Sequence, residues 1–95
     1  MISQEKNFVY KERMYNDSQL GQLQEITSLV DCECPNQVST IVHTLSSYEA
    51  YSKTCINKND KDAELHKMLY EKTCEARAIM EEALREICIY ENIYI

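Results

Sequence analysis

The sequence predicts a small all-α domain: a three-helix bundle built on a long antiparallel hairpin. Three observations carry this. The 95-residue chain holds one glycine and one proline, too few for the many turns of an all-β fold. Apolar residues recur at steps of three and four over long stretches, as in helices with one buried face. Polar breaks near residues 31–34 and 57–60 divide those stretches into three. The length suits a single domain, with an extended arm over 1–15 and a helical body over 16–95.

The elements follow in order. Phe8-Val9-Tyr10 is a β-prone cluster in a charged segment, which predicts an extended arm with a short strand around residues 7–11. Asn16-Asp17-Ser18-Gln19 reads as a helix start, since Gln19 follows Asn16 at the capping-box spacing. Leu20, Leu23, Ile26, Thr27 and Val30 give the first helix its apolar stripe, to about Leu29. Cys34 precedes proline and is pushed out of the helical region. Pro35 suits a first helical turn, where no N–H is needed. The second helix then runs to about Ile56, with an inner stripe of Val38, Ile41, Val42, Leu45, Tyr48, Ser52 and Cys55. His43 falls off that stripe and is expected in solvent.

Asn57-Lys58-Asn59-Asp60 is a tight polar turn that makes helices two and three antiparallel neighbours. Asn59 or Asp60 caps the third helix, with Asp62 and Glu64 near its positive end. That helix extends to about Ile87 or beyond. His66, Leu69, Thr73, Ala76, Met80, Ala83 and Ile87 step by three and four along its expected inner face. Burial of Leu45, Ala76 and Met80 between helices two and three is the direct expectation. The apolar tail from Ile89 to Ile95 has two outlets: a β pair with the arm, or a second chain.

Charge and cysteines narrow the function classes. A net charge of −6 is the wrong sign for gripping nucleic acid directly, because phosphate neutralisation needs a basic face. No apolar run approaches the ~20 residues that span a bilayer. The opening Ile2-Ser3-Gln4-Glu5-Lys6-Asn7 is polar rather than signal-like, so a cytoplasmic location is expected. Five cysteines then read as reduced thiols, small core residues or ligands rather than a disulfide framework.

Two constellations could carry chemistry. Cys32 and Cys34 form a Cys-x-Cys loop, which antiparallel pairing brings near Cys88. Three thiols fall short of the four ligands of tetrahedral zinc, the metal such a set would take, so no cofactor is expected. Cys34 also opens a helix, where the dipole favours thiolate. The second set, a candidate ligand or sensor site, is Glu49, Ser52, Cys55, Asp62 and His66 near the hairpin turn. Asp62 and His66 share a face at i, i+4, and Glu49 lies on the facing helix. A histidine at the end of an apolar seam is more often a hydrogen-bonded core residue. No nucleophile elbow, phosphate loop or His-Glu-x-x-His is present, and no enzyme activity is expected.

From about Tyr10 onward the chain resembles the C-terminal domain of certain bacterial MerR-type transcription regulators. The resemblance rests on Tyr15-Asn16-Asp17-Ser18-Gln19-Leu20, on Asp31-Cys32-Glu33-Cys34-Pro35-Asn36-Gln37, and on Tyr48-Glu49-Ala50-Tyr51-Ser52 with Cys55. It extends over Asp62-Ala63-Glu64-Leu65-His66 and over Ala76-Arg77-Ala78 with Met80-Glu81-Glu82-Ala83-Leu84. Gln37 stands where these relatives usually carry a histidine. Their DNA-binding helix-turn-helix precedes this domain, and here only the short arm stands in its place. The resemblance therefore implies a regulatory or assembly role without DNA binding by this chain. Its partner would be a second copy or a DNA-binding regulator protein. A homodimer is expected on physical grounds too, because Tyr70, Leu84, Ile89, Ile93, Tyr94, Ile95 and the Phe8-Val9-Tyr10 cluster remain to be covered.

Overall fold

The computed structural model describes residues 8–26 and 32–95. It contains three helices: α1 over Asp17–Glu25, α2 over Cys34–Lys53 and α3 over Asp60–Glu91. Helices α2 and α3 form the antiparallel hairpin, and α1 packs on α2. The all-α class and the hairpin stand as expected. Among the described residues there is no strand. Residues 8–13 carry no regular secondary structure and the tail after Glu91 is a short coil, so among the described residues neither half of the anticipated β pair forms. The first helix stops at Glu25, with Ile26 extended, short of the expected end near Leu29; Thr27, Leu29 and Val30 lie outside the described residues.

Helix boundaries follow local chemistry. At α1, the Asn16 side chain accepts from the Gln19 N–H at 2.8 Å while the Gln19 side chain accepts from the Asn16 N–H at 2.9 Å. This reciprocal pair satisfies two donors that the first turn leaves orphaned. At the other end of α1, the Asn36 amide donates to the carbonyls of Leu23, Gln24 and Ile26 at 3.1, 3.1 and 2.6 Å. One side chain in the first turn of α2 thus caps the helix before it. Asn59 caps α3 by accepting from the Asp62 N–H at 2.8 Å. Asn92 ends α3 in the left-handed region at φ 58°, a conformation asparagine tolerates better than most residues. The Ile93 N–H then returns to the Cys88 carbonyl at 2.8 Å, and Ile93 packs on the core.

The core has two parts. At the α1 end, Tyr15, Leu20, Leu23, Val42, Leu84 and Cys88 form an apolar cluster, with Val38 and Met80 against it. Toward the middle of the hairpin the interior turns polar: Ser46, Glu49, Ser52, Arg77 and Glu81 are buried. The seam is therefore rotated from the expected one. On α3 the buried residues are Cys74, Arg77, Ala78, Glu81, Leu84 and Cys88. The expected inner positions, Ala76 and Met80 among them, are only half-buried, as is Leu45, while Ile41 and Tyr48 are exposed. His43 is half-buried beside α1, 3.3 Å from the Gln24 amide, and not in solvent. The molecule is a slab of 50 × 25 × 18 Å, its long edge set by the 32-residue α3 at ~1.5 Å per residue.

Candidate functional site

The buried polar cluster explains why the seam rotates. Arg77 is wholly inaccessible, and its Nε donates to Glu49 Oε1 at 2.9 Å while Nη1 donates to Glu81 Oε1 at 2.9 Å. Its remaining donors reach the carbonyls of Lys11 and Glu12 in the arm. Glu81 in turn accepts from the Met14 and Tyr15 N–H groups at 2.8 and 3.2 Å. The Tyr10 ring lies 5.4 Å from the guanidinium carbon, and Phe8 meets Tyr70 edge-to-face at 6.1 Å. Burial disfavours the Arg77 cation, but its bonds to Glu49 and Glu81 outweigh that and raise its pKa. Arg77 is thus the bolt that fastens the arm to the hairpin. Its five donors find several acceptors, the condition under which a buried charge is tolerated. Sequence reasoning missed Arg77, because it sits off the apolar stripe. The available signal was Glu81 at i+4 with Glu49 on the facing helix.

Glu49 accordingly leaves the proposed ligand set and is spent on Arg77. The rest of that set does assemble. Ser52, Cys55 and His66 line an open cavity of about 230 Å³ at the hairpin tip, together with Lys53, Asn57, Lys67 and Tyr70. Cys55 Sγ lies 3.9 Å from His66 Nε2, and His66 Nδ1 lies 2.6 Å from Asn57 Oδ1. Asp62 Oδ1 is 3.7 Å from His66 Nε2. The Asn57 oxygen only accepts, so a proton on Nδ1 satisfies it, and that tautomer leaves Nε2 as an acceptor toward the thiol. Asn57 was read only as a turn residue. Its role depends on the backbone path of the turn.

The cysteine loop divides differently. Cys32 and Cys34 are exposed, with sulfurs 3.0 Å apart. The Cys34 N–H also points at the Cys32 sulfur at 3.4 Å. Hydrogen bonding to Cys32, and that neighbour's charge, push the Cys34 thiol up. Cys88 does not join them. It is buried in the core cluster with Tyr15, and burial pushes its thiol up. Among the described residues no group of three or more His, Cys, Asp or Glu side chains is arranged to hold a metal ion. Helix α2 runs unbroken from Cys34 to Lys53, so Cys34 is its first residue rather than excluded by Pro35, the helix ends short of Ile56, and about 28 Å separates its two ends. The two cysteine sites are independent.

A further feature is a surface. Asn36 and His43 meet α1 on one side of α2, and the arm covers Arg77 and Glu81 on the same side of α3. The opposite face of the slab has no covering element among the described residues. It exposes Ile41 and Tyr48 of α2, 44% and 39% accessible, and Ile79 of α3 at 64%. Around Ile79 runs a stripe of Leu65, Leu69, Lys72, Ala76, Ala83, Glu86 and Tyr90. Its steps of four and three place it on one side of α3. The buried stripe, Cys74, Arg77, Glu81, Leu84 and Cys88, lies two residues out of phase, hence on the other side.

No protein-family model matches the chain, and neither a curated protein nor a solved structure does. No helix among the described residues is long and apolar enough to cross a membrane.

Proposed function

We propose that the chain is a non-enzymatic regulatory module that works as a homodimer, paired through α3. The carrying observation is the second stripe on α3, opposite the buried one. An antiparallel pair with a two-fold axis at Ile79 sets Lys72 of one copy against Glu86 of the other. It also brings Ala76 near Ala83, where small side chains let the helices approach. Within its own chain Lys72 lies 3.8 Å from Glu75, a loose contact with both side chains solvent-exposed. A two-fold contact of this kind needs one patch that complements itself, and this stripe meets that need in both charge and size. Ile41 and Tyr48 would flank it. The regulatory part of the reading rests on the resemblance to MerR-type C-terminal domains.

Sedimentation equilibrium at micromolar concentration tests the pairing. A species of twice 11.2 kDa is expected. Ile79→Glu should give a monomer with unchanged helix content, because Ile79 contributes little to the chain's own core. Lys72→Glu should weaken the dimer, and adding Glu86→Lys should restore it, the coupling that a double-mutant cycle reads. A wild-type monomer rejects the proposal.

A second reading, a thiol-based sensor at Cys32 and Cys34, is favoured by the 3.0 Å approach of two exposed sulfurs. Zinc uptake would need further ligands from a partner. Metal analysis of reduced protein before and after chelation, with folding followed in parallel, tests the carrier form of that reading.

A further inference from the structure

We infer that the cavity at the hairpin tip is a thiol–disulfide exchange site, in which Cys55 takes an anionic low-molecular-weight disulfide with His66 as base. The inference does not need the pairing proposed above, whose axis at Ile79 lies about 20 Å along α3 from His66, although its stripe reaches Leu65.

Of the five cysteines, Cys55 alone has an imidazole nitrogen beside it, at 3.9 Å. Cys74 and Cys88 are buried, and burial pushes both thiols up. The Cys34 thiol is pushed up by the Cys32 sulfur. The Asn57 oxygen, 2.6 Å from His66 Nδ1, favours the tautomer with a free lone pair toward Cys55. This is the division of labour seen wherever a base is oriented by a third group. Asp62, 3.7 Å from the same nitrogen, stabilises the imidazolium that forms. The cavity of about 230 Å³ is open to solvent beside Cys55, and Lys53 and Lys67 on its lining offer two ammonium groups to carboxylates. A net-negative protein would otherwise repel such a ligand.

The step balances without another reactant. As the Cys55 sulfur attacks one sulfur of the bound disulfide, its proton passes to His66 Nε2. A protein–ligand S–S bond forms and the ligand's own S–S bond breaks. The departing sulfur leaves with the electron pair and takes the proton back from the imidazolium. Cys55 ends oxidised in a mixed disulfide, and one molecule of free thiol is released.

The test uses the full chain carrying Cys32→Ser and Cys34→Ser, which removes the two exposed competing thiols. Glutathione disulfide is the probe, and initial rates at Cys55 are read by peptide mass spectrometry, with helix content checked by circular dichroism. Cys55 should react faster in the native chain than in the same chain unfolded in urea. His66→Gln should slow it at least about tenfold, a modest part of what a positioned base contributes. Lys53→Glu with Lys67→Glu should slow glutathione disulfide and leave the neutral 2-hydroxyethyl disulfide within about twofold. A native rate no higher than the unfolded one overturns the proposal, and so does a rate indifferent to His66→Gln. Equal slowing of both disulfides by the lysine changes removes the anionic ligand class.

Discussion

Arg77 holds more of this molecule together than any apolar side chain. It joins two helices and the arm through one guanidinium, with both carboxylate partners inside the protein. Removing one member of such a set leaves buried charge without a partner, which costs more than the set contributes when intact. Arg77→Leu should therefore destabilise the fold by ~3–5 kcal/mol, read as a lower urea midpoint. The arm should become protease-sensitive in the same variant. Ser46 presents the opposite case. Its hydroxyl is buried with no hydrogen-bond partner among the described residues, so it bears a desolvation cost with no return bond there. Ser46→Ala removes that group and improves helix propensity, and should raise stability by about 1 kcal/mol. Urea unfolding would measure it, and a loss of stability would show that the hydroxyl has a partner in solution.

At the scale of elements, α1 is the weakest piece. It has nine residues, too few to persist alone in water. Two anchors keep it helical: its capping box, and the Asn36 amide from α2 on its last carbonyls. Asn36→Ala should cost ~1–3 kcal/mol by orphaning those carbonyls. Hydrogen exchange should show the loss concentrated in residues 20–26, with α3 little changed. Helix α3 differs because it serves two surfaces. Its Cys74–Cys88 stripe faces the chain's own interior, and the stripe through Ile79 faces outward. A helix with apolar residues on both sides is expected where both sides find partners.

The molecule as a whole should lose stability in alkali. Burial, aided by Cys88, pushes the Tyr15 phenol up to about 12, and burial with Cys74 does the same for Tyr70. Burial also pushes the Cys74 and Cys88 thiols above the ordinary value of 9.0. A group whose folded pKa is raised stabilises the fold fully below its unfolded pKa. That stability is lost as pH rises through the folded value. The urea midpoint should therefore begin to fall near the ordinary thiol value of 9.0 and fall further toward pH 12 as the two tyrosines ionise. Tyr15→Phe should make the upper part of that fall shallower. A midpoint level across the whole range would mean that these groups reach water in the native state.

Much of this protein is determined locally and was legible from the sequence. Helix starts at Asn16 and Asn59, the break before Pro35 and the antiparallel hairpin all depend on residues within one turn of each other, so pattern and capping chemistry suffice. Ser52, Cys55, Asp62 and His66 could be grouped for the same reason: a short turn leaves little choice about what lies across it. Which face of each helix is buried was decided only by tertiary structure. Periodicity favours the most apolar stripe, and that rule placed Ala76 and Met80 inside and passed over Arg77. In the folded chain Arg77 finds Glu49 from one helix, Glu81 from its own and two carbonyls from an arm more than sixty residues away. The desolvation of a charge is offset only when all its partners arrive together. That arrival depends on the path of the whole chain, which no local pattern encodes.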